Sequence, residues 1–385
     1  MVLSGAAWDA RPFSQTPTAT AFPTFKGKMN VIDLLNLPPS AGALDVLTVA
    51  DDHLLAVGWM FQLGRTFEYI EAYLDGKLVG PVRSVSRLDV EEAFRWVKDA
   101  KPSPFVIEIS LEGTTPARLD LIGRIGKAPT ARLSCLIPSE ANERLPQPPD
   151  PLQERVSGLH GPAFLVQGLQ MFTDLTDQMS RLGIPAAGRI LDWGCGCGRV
   201  TRHFMTRLPE AKILGCDIDP QAIEWCRQNL GANFVHVEPM PPTPFKDAEV
   251  DIIIACSVLT HLTEAVQDQW LREMRRILVP GGHFLASTHG NYAFQFAHRE
   301  SPVSKTRSIW KGLLGADLAP GCLTGINDSQ LDPVLDGIAP PGYYRGVFQS
   351  RDYTVKACSK YFQVLDYVEQ GLNGHQDLII LRRPK

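Results

Sequence analysis

The stretch ILDWGCGCGRV, residues 190–200, has the residue types of a loop that holds a small ligand against the main chain. Its glycines alternate as Gly194, Gly196 and Gly198, and Asp192 lies just before them. Glycine adopts positive φ angles and leaves space beside the backbone, and the helix predicted to follow offers free N–H groups. We therefore expect a nucleoside-like ligand, and the carboxylate favours a cationic group on it.

Two classes of nucleoside ligand compete for such a loop. A dinucleotide fingerprint reads G-x-G-x-x-G, which requires glycine at position 199 when it starts at Gly194. Arg199 stands there instead, and the third glycine comes one residue earlier. The spacing disfavours a dinucleotide, and Asp192 suits a cationic amino-acid end better than a pyrophosphate.

Two histidines are candidates for acid–base chemistry, because histidine titrates near neutral pH. His289 in STHGN and His261 in SVLTHL each follow a predicted strand, at the edge where open α/β sheets bind ligands. We favour His289 as the general base for a hydroxyl acceptor; structural roles, a loop hydrogen bond or a helix cap, remain open for both. A metal site built from both with Asp217 or Glu264 lacks recognisable ligand spacing, so no metal is expected.

The elements that must position these residues follow an alternating pattern. From residue 188 onwards, buried strand-like runs alternate with amphipathic helical runs, which is typical of a mostly parallel α/β sheet. Pro-Gly-Gly at residues 280–282 is expected to stop the last of these helices. The terminal stretch FQVLDYVEQGLNGHQDLIILRR predicts a hairpin. The predicted strands before it are RILDW, KILGCDI, NFVHVE, VDIIIACSV and HFLAST.

The preceding part of the chain has a different pattern. It contains short β-like runs separated by Gly, Pro and Asp, with Asp75-Gly76 as a hairpin signal, and this predicts a small antiparallel β-sandwich without a catalytic group. A Pro-rich segment then forms a natural linker. The predicted organisation is a flexible arm at 1–42, the sandwich at 43–136, a linker with helices at 137–182 and the catalytic domain at 183–385.

A long insertion, about residues 290–350, separates the fifth strand from the terminal hairpin. Insertions at the ligand-binding edge more often form a lid or an acceptor site than structural filling. Its aromatic side chains are candidates for stacking on a sugar ring, with plain packing of the lid as the alternative. The candidate acceptor-binding residues are Tyr292, Trp310, Tyr343, Tyr344 and Arg345.

Composition excludes several classes of protein. The chain has 385 residues, 44% of them hydrophobic and 21% charged, with a net charge of -4, so nothing favours a nucleic-acid partner. Its apolar runs are much shorter than the roughly 20 residues that cross a bilayer, and the N-terminus does not have the pattern of a signal peptide. The 8 cysteines form no CxxC pair, so we expect reduced thiols and a cytoplasmic location.

The motifs LDWGCGCGR, GCDID, VDIIIACSVLTHL and LVPGGHFLAST occur in this order and together resemble class I S-adenosylmethionine-dependent methyltransferases. The resemblance extends from the helices near Phe164 to the end of the chain. It implies a Rossmann-like, seven-stranded, mostly parallel sheet with a C-terminal antiparallel hairpin. It also implies S-adenosylmethionine as the cofactor and methyl transfer as the reaction.

The resemblance assigns roles to residues of this sequence. The glycine loop with Asp192 would hold the methionine and ribose parts of the cofactor, Asp217 would accept bonds from the ribose hydroxyls, and Ile218 would lie beside adenine. The family often has an aspartate after the third strand, where this chain has VEPMPPTPF, so that contact falls to Glu238 or to the backbone near Met240. The cofactor-binding candidates are Asp192, Gly194, Cys195, Gly196, Gly198, Asp217, Ile218, Met240, Cys256 and Ser257, the last two beside the sulfonium.

A narrower resemblance concerns the N-terminal part. Gly58-Trp59, the hairpin at 75–80, the turn at 87–90 and Phe105 resemble an accessory β-domain of bacterial glycan-assembly proteins. The catalytic motifs, with the terminal QDL, resemble methyltransferases found beside glycosyltransferases in polysaccharide pathways. The leading hypothesis is therefore O-methylation of a saccharide or glycan intermediate. The alternatives are methylation of another small metabolite at O, N or S, and a non-catalytic cofactor-binding scaffold in a glycan-assembly complex.

Overall fold

A computed structural model describes most of the chain. Residues 1–40 of the predicted arm and Trp310 of the predicted insertion lie outside the described residues. No helix in the described part is long and apolar enough to cross a membrane. The described residues are 41–61, 66–94, 102–113, 115–138, 144–231, 233–298 and 323–385.

The helices and strands are numbered in chain order within these ranges. Strands β1 to β17 are Ala41–Ala50, His53–Phe61, Tyr69–Leu74, Lys77–Pro81, Arg83–Ser84, Ser103–Ser110, Arg118–Ile125, Ala128–Leu136, Arg189–Trp193, Lys212–Asp217, Phe234–His236, Val250–Ala255, Leu278–Thr288, Ile326–Leu331, Arg345–Gln349, Gln363–Leu372 and Gln376–Arg382. Helices α1 to α8 are Leu88–Phe94, Asp150–Ser157, Gly161–Arg181, Thr201–Arg207, Pro220–Asn229, Glu264–Ile277, Asn291–His298 and Arg351–Ser359. Short 3-10 helices span Leu259–His261 and Pro333–Leu335.

A seven-stranded sheet forms the C-terminal part, in the order β11-β10-β9-β12-β13-β17-β16. Strands β9 to β13 pair in parallel, whereas β17 runs antiparallel to both β13 and β16. The predicted α/β class and the C-terminal hairpin are therefore present. The strand order reverses between β9 and β12, and open α/β sheets bind ligands at the carboxyl ends of strands beside such a point.

Both faces of this sheet are buried, which explains why its strands are continuous apolar runs. Successive residues of β9 point to opposite faces, as the period of two in a strand requires. Ile190 belongs to a core cluster with Phe172 of α3, whereas Leu191 belongs to a second cluster with Trp270 of α6. The sheet thus fixes the carboxyl end of β9 between two packed layers.

The Pro-Gly-Gly segment at residues 280–282 does not act as the predicted helix stop. Helix α6 ends earlier, at Ile277, and β13 begins at once with Leu278, so the three residues lie inside the strand. The Gly281 N–H donates to the Arg383 carbonyl at 2.9 Å, which ties this part of the strand to the C-terminal residues. Pairing with neighbouring backbone therefore overrides the turn signal.

Two four-stranded antiparallel sheets occupy the region where the sequence predicts a β-sandwich, in the orders β1-β2-β6-β5 and β4-β3-β7-β8. Buried side chains from both sheets, among them Leu47 and Leu121, belong to one cluster that continues through Phe172 of α3 to Ile190 of β9. Because this core is continuous, the domain limits read from the sequence stay a prediction.

The signature residues of the N-terminal part serve packing. A Cβ at Gly58 would lie 2.3 Å from the Ala43 carbonyl oxygen and 2.9 Å from Cζ of Phe105, so only glycine fits there. The Asp75 carboxylate accepts the Arg118 N–H at 3.0 Å and so attaches the hairpin to β7. Arg87 forms ion pairs with Asp45 and Asp89. These contacts explain the motif without a ligand.

A buried ionic network joins the second N-terminal sheet to α3. The Arg118 guanidinium donates to both oxygens of Asp177 at 2.7 Å and to Asp120 at 2.8 Å. Arg132 lies 3.4 Å from Asp177 as well. All four side chains are buried. Buried charges are tolerated when they are paired and hydrogen-bonded, and they become costly when one partner is removed.

Replacing Asp177 by alanine is expected to lower the free energy of unfolding by about 3 kcal/mol, because the buried Arg118 and Arg132 lose a shared carboxylate. Equilibrium unfolding in urea measures this change. Glu369→Ala is the matched control, since Glu369 pairs with Arg351 at 3.8 Å while both are exposed. This variant should lose less than about 1 kcal/mol of its free energy of unfolding. Equal losses in the two variants would contradict the importance of the network.

Candidate functional site

A cavity opens at the carboxyl ends of β9, β10 and β12, where the strand order reverses. It encloses about 970 Å³ of space free of protein atoms, a figure that includes the solvent at its open mouth. The predicted site residues that line it are Asp192, Gly194, Cys195, Gly196, Asp217, Ile218, Cys256, Ser257, His261, Tyr343 and Tyr344. Those that do not line it are Gly198, Met240, His289, Tyr292 and Arg345.

The glycine loop after β9 forms one wall of the cavity. Gly194 and Gly196 have φ angles of +78° and +52°, and a Cβ there would lie 2.3 Å from Val258 and 2.7 Å from Val156 respectively. Gly198 has a different role, because a Cβ at this position would lie 2.6 Å from Leu230 behind the loop. Side chains at the first two glycines would therefore clash with the cavity wall.

Asp217, at the end of β10, holds this loop in place. Its carboxylate accepts the Gly196 N–H at 2.7 Å and the Asp219 N–H at 2.8 Å. Burial raises the pKa of Asp217, and these two N–H groups oppose the increase. Asp219 in turn caps α5 by accepting the Gln221 N–H at 2.9 Å, and it pairs with Arg155 at 2.7 Å. Backbone N–H groups of the glycine loop and of the start of α5 thus hold Asp217 and Asp219 in place.

Asp192, the second-to-last residue of β9, is a buried part of the cavity wall just before the glycines. Its carboxylate accepts the Thr201 hydroxyl at 2.6 Å. Burial raises the pKa of Asp192 to about 6; the Thr201 hydrogen bond lowers it and the nearby charge of Asp217 raises it further. The group is therefore ionised at neutral pH and becomes protonated just below it, which makes its charge available to a cationic ligand group.

The opposite side of the cavity is apolar. Ile218, Val237 and Trp270 line it, together with Tyr343 from the insertion. The Trp270 indole donates to the Pro239 carbonyl at 3.1 Å, and the Tyr343 hydroxyl donates to the same oxygen. The aromatic base of a nucleoside bound here would pack against apolar side chains on several sides.

The two residues predicted to contact adenine after the third strand, Glu238 and Met240, are not among the residues that line the cavity. Glu238 is exposed and Met240 half-buried, and neither lines the cavity. The residue from this segment that does line it is Val237. The adenine contact assigned to Glu238 or to the backbone near Met240 stays a prediction.

Cys256 and Ser257 follow β12 and line the cavity beside Asp192. Ser257 has a φ angle of +61° and its N–H donates to the Ser287 hydroxyl at 2.8 Å, so β13 holds this strained residue in place. Cys195 lines the cavity as well, and its buried side chain packs with Phe234. All seven cysteines in the described part of the chain are free and buried.

His261 is the histidine that lines the cavity. Its Nδ1 lies 2.9 Å from the Arg345 carbonyl oxygen, and its ring stacks on Tyr344 at 4.0 Å between centroids and 12° between planes. A carbonyl only accepts, so Nδ1 carries the proton and Nε2 keeps its lone pair. Burial lowers the pKa of His261 to about 4, so this imidazole is neutral at physiological pH.

His289, favoured from the sequence, lies behind His261 and does not line the cavity. Its ring is 6.4 Å from that of His261 and 5.3 Å from Phe348, with which its backbone forms a bridge. Burial, followed by repulsion from the protonated form of His261, lowers the pKa of His289 to about 3. Tyr292 packs edge-on against His375, 5.8 Å away, in the same layer.

The insertion contributes Tyr343 and Tyr344 to the cavity but not Arg345. The Arg345 guanidinium donates to the carbonyls of Gly342 at 2.9 Å and Asp328 at 3.1 Å, so it binds the insertion's own backbone. Among the described residues, no group of three or more His, Cys, Asp or Glu side chains is arranged to hold a metal ion.

Several lining residues escaped the sequence analysis. Arg199 directly follows the glycine loop, a position that already indicated proximity to the ligand. Trp270 lies on α6, a helix for which the sequence suggested no ligand contact. Nothing in the sequence pointed to Leu335, which reaches the cavity from a 3-10 helix in the insertion. The lining residues without a predicted role include Arg155, Trp193, Arg199, Asp219, Val258, Leu262, Trp270 and Leu335.

Comparisons with known proteins give partial matches. Residues 190–282 match the family described as a methyltransferase domain. The biotin biosynthesis bifunctional protein BioCD of Bordetella avium is 31% identical over 159 residues, 40% of this chain and 34% of that protein. Trans-aconitate 2-methyltransferase of Methylobacterium nodulans is 32% identical over 112 residues, 28% of this chain and 40% of that protein.

The chain spans less than half the length of the curated relatives it matches. Among solved structures, PH0226 protein from Pyrococcus horikoshii OT3 has a TM-score of 0.37 at 16% identity, over 56% of this chain and 89% of that one. The match covers β9 to β12 and the start of β13, so the part of the chain that is similar to a methyltransferase domain is the part of the sheet that carries the cavity. Similarity to a methyltransferase domain implies S-adenosylmethionine as the cofactor.

Asp217→Ala is expected to weaken binding of S-adenosylhomocysteine about 10- to 100-fold, because a carboxylate hydrogen bond to the ribose and the anchor of Gly196 are lost together. Isothermal titration calorimetry measures the affinity. Glu238→Ala is the control, since Glu238 is exposed and does not line the cavity, and its affinity should equal that of the unmodified protein. If Glu238→Ala alone lost affinity for S-adenosylhomocysteine, Glu238 would be the adenine contact and the role of Asp217 would be contradicted.

The affinity for S-adenosylhomocysteine should also depend on pH. Because burial raises the pKa of Asp192 to about 6, its carboxylate is ionised at pH 7.5 and largely protonated at pH 5. A ligand ammonium group binds the ionised form, so affinity should fall about tenfold over this interval. Asp192→Asn should bind weakly with a flatter profile. An unmodified protein with constant affinity from pH 7.5 to pH 5 would contradict this role.

Proposed function

We propose that this methyltransferase domain transfers the methyl group of S-adenosylmethionine to a hydroxyl oxygen of a saccharide. The observation that carries the proposal is the meeting, in one cavity, of the glycine loop with Asp217 on one side and of His261 stacked on Tyr344 on the other. One half has the chemistry of a nucleoside site. The other half offers a proton acceptor and an aromatic face to a second molecule.

The residues present fit the cofactor. Asp217 offers carboxylate oxygens to ribose hydroxyls, Ile218 and Val237 offer an apolar surface to adenine, and Asp192 offers a negative charge to the ammonium group. The bare backbone at Gly196 leaves room that any Cβ would fill. When bound, S-adenosylmethionine supplies a methyl group that is activated by the positive sulfur.

His261 is the residue that would accept the proton of the acceptor hydroxyl. The Arg345 carbonyl holds its Nδ1–H, which leaves the Nε2 lone pair for this proton. The acceptor oxygen would take the methyl group as the sulfur–methyl bond of the cofactor breaks. Its proton would move to Nε2, so the positive charge of the sulfonium would end on the His261 imidazolium. Tyr344, stacked on the imidazole, fixes the ring orientation and excludes water from one face.

A saccharide suits the acceptor half because a sugar ring has an apolar C–H face and a rim of hydroxyls. Tyr344 supplies an aromatic surface, and Ser257 and His261 supply polar atoms at its border. The N-terminal resemblance to glycan-assembly proteins supports the same acceptor class. The free, buried cysteines support a reducing compartment, the cytoplasm.

A different small metabolite is the second candidate acceptor. The relatives are named for trans-aconitate and for malonyl-[acyl-carrier protein], so methyltransferase domains with similar sequences accept compounds other than sugars. A non-catalytic scaffold is the third candidate, and the retention of Asp192, Asp217 and the glycine loop around one cavity argues against it.

The experiment that tests the proposal is methyl transfer from labelled S-adenosylmethionine to fractionated extracts of the source cells, with products identified by mass spectrometry. Label in a saccharide that disappears with Asp217→Ala supports the proposal. Label in a compound without a sugar retains methyl transfer and overturns the acceptor class. Binding of the cofactor without any labelled product favours the scaffold.

His261→Gln is expected to lower turnover about 10²- to 10⁴-fold, the usual contribution of a positioned general base, while the affinity for S-adenosylhomocysteine stays unchanged. Steady-state kinetics on the labelled acceptor, with calorimetry in parallel, separates the two effects. His289→Gln is the matched control and should keep most of its turnover, because His289 does not line the cavity. A larger loss of turnover in His289→Gln than in His261→Gln would instead identify His289 as the general base.

A further inference from the structure

His261, the proposed base, must become positively charged in a largely buried position when it accepts a proton. Burial lowers the pKa of its imidazole to about 4, and the hydrogen bond to the Arg345 carbonyl opposes this decrease. Burial disfavours the charged form of a histidine, whereas an anion within about 4–6 Å favours it. A base in this position therefore needs a nearby negative charge to take up a proton at neutral pH.

The insertion brings a carboxylate close to this imidazole. Oδ2 of Asp332 lies 3.9 Å from Nδ1 of His261, and the two side chains are 21% and 17% exposed. This distance is too long for a hydrogen bond, and Nδ1 already donates to the Arg345 carbonyl oxygen. The carboxylate therefore acts on the ring through its charge, and it does so from the Nδ1 edge, which leaves Nε2 to the acceptor.

Backbone contacts within the insertion hold Asp332 in this position. It directly follows β14, and its N–H donates to the Tyr344 carbonyl at 3.1 Å. Its Oδ1 accepts the Val334 N–H at 3.1 Å and so caps the 3-10 helix Pro333–Leu335. One carboxylate oxygen is thus bound by the backbone, and the other is the one that lies near His261.

The hairpin of β14 and β15 that carries these groups is attached beside His261. The Asp328 carboxylate in β14 accepts the N–H of Glu264 at 3.0 Å, and Glu264 is the first residue of α6, shortly after His261. The Arg345 carbonyl at Nδ1 belongs to β15, and Tyr344, just before this strand, stacks on the ring. The insertion therefore surrounds the imidazole with a carboxylate, a carbonyl and an aromatic face.

Two further titratable side chains lie beside the His261 ring, and neither supplies a negative charge. Burial raises the pKa of Tyr344 well above its ordinary value, so this phenol stays neutral. Burial lowers the pKa of His289 to about 3, so this imidazole is neutral as well. Within the part of the chain that the structure describes, Asp332 is the acid at ion-pair distance from His261.

We infer that Asp332 is a positioning residue for methyl transfer, whose carboxylate stabilises the His261 imidazolium; the inference rests on the proposed function. The acceptor oxygen forms its bond to the methyl group as the sulfur–methyl bond breaks, and the electron pair of that bond stays on sulfur. The hydroxyl proton moves to Nε2 of His261, and the imidazolium then lies beside the Asp332 carboxylate. The insertion thus contributes to the chemistry as well as to the wall of the cavity.

The test is a double-mutant cycle that uses methyl-labelled S-adenosylmethionine and the cell-extract fraction that becomes labelled. Asp332→Asn, which keeps an oxygen for the Val334 N–H, should lower turnover about 10- to 100-fold because the charge at this distance is lost. Its affinity for S-adenosylhomocysteine, measured by calorimetry, should stay unchanged. Asp332→Glu, which keeps the charge, should recover part of the loss. Added to His261→Gln, Asp332→Asn should change turnover less than about twofold, because the group it acts through is gone.

Asp336→Asn is the matched control, because Asp336 is exposed at the end of the same 3-10 helix. Its turnover should equal that of the unmodified protein. Undiminished turnover in Asp332→Asn, or an equal loss with and without His261, would overturn the inference. Label in a compound without a sugar would contradict the proposed acceptor class, and the cycle on that compound would still decide the role of Asp332. The absence of any labelled product would overturn the proposed function and the inference with it.

Discussion

Asp192, Asp217 and Arg199 bring charges out of water into the wall of one cavity, and such burial is unfavourable unless a partner compensates it. Asp217 receives the Gly196 N–H, which also fixes the glycine loop. Among the described residues, Arg199 donates only to the neutral side-chain oxygen of Gln167. The cavity is therefore suited to a ligand that carries both positive and negative charge. The glycine loop, the strand ends and the flanking helices hold these charged side chains in position.

Helix α3 connects this cavity with the N-terminal sheets. One part of the helix carries Gln167 and Gly168, which position Arg199. Further along, the Thr173 hydroxyl accepts the N–H of Leu136 in β8 at 3.0 Å, and Asp177 belongs to the buried ionic network with β7. The N-terminal sheets thus support the helix that supports the site, which gives this part of the chain a structural role whatever else it binds.

Sequence reasoning succeeded where a local pattern determines position. The glycine loop and Asp217 follow consecutive parallel strands, and the ends of such strands meet at one edge. It favoured His289 over His261 as the base, but both follow strands, and only the packing of Tyr344 and Phe348 decides which ring reaches the cavity. The fate of the predicted acceptor residues depends on how the insertion folds back, which no local pattern encodes.

A crystal structure with bound S-adenosylhomocysteine tests the central claim most directly. We expect the ribose hydroxyls at the Asp217 carboxylate, the base beside Ile218 and the ammonium group at Asp192, with His261 left open to a second molecule. A ligand bound elsewhere on the chain, or one in this cavity with its ammonium group away from Asp192 and its ribose away from Asp217, would contradict the account.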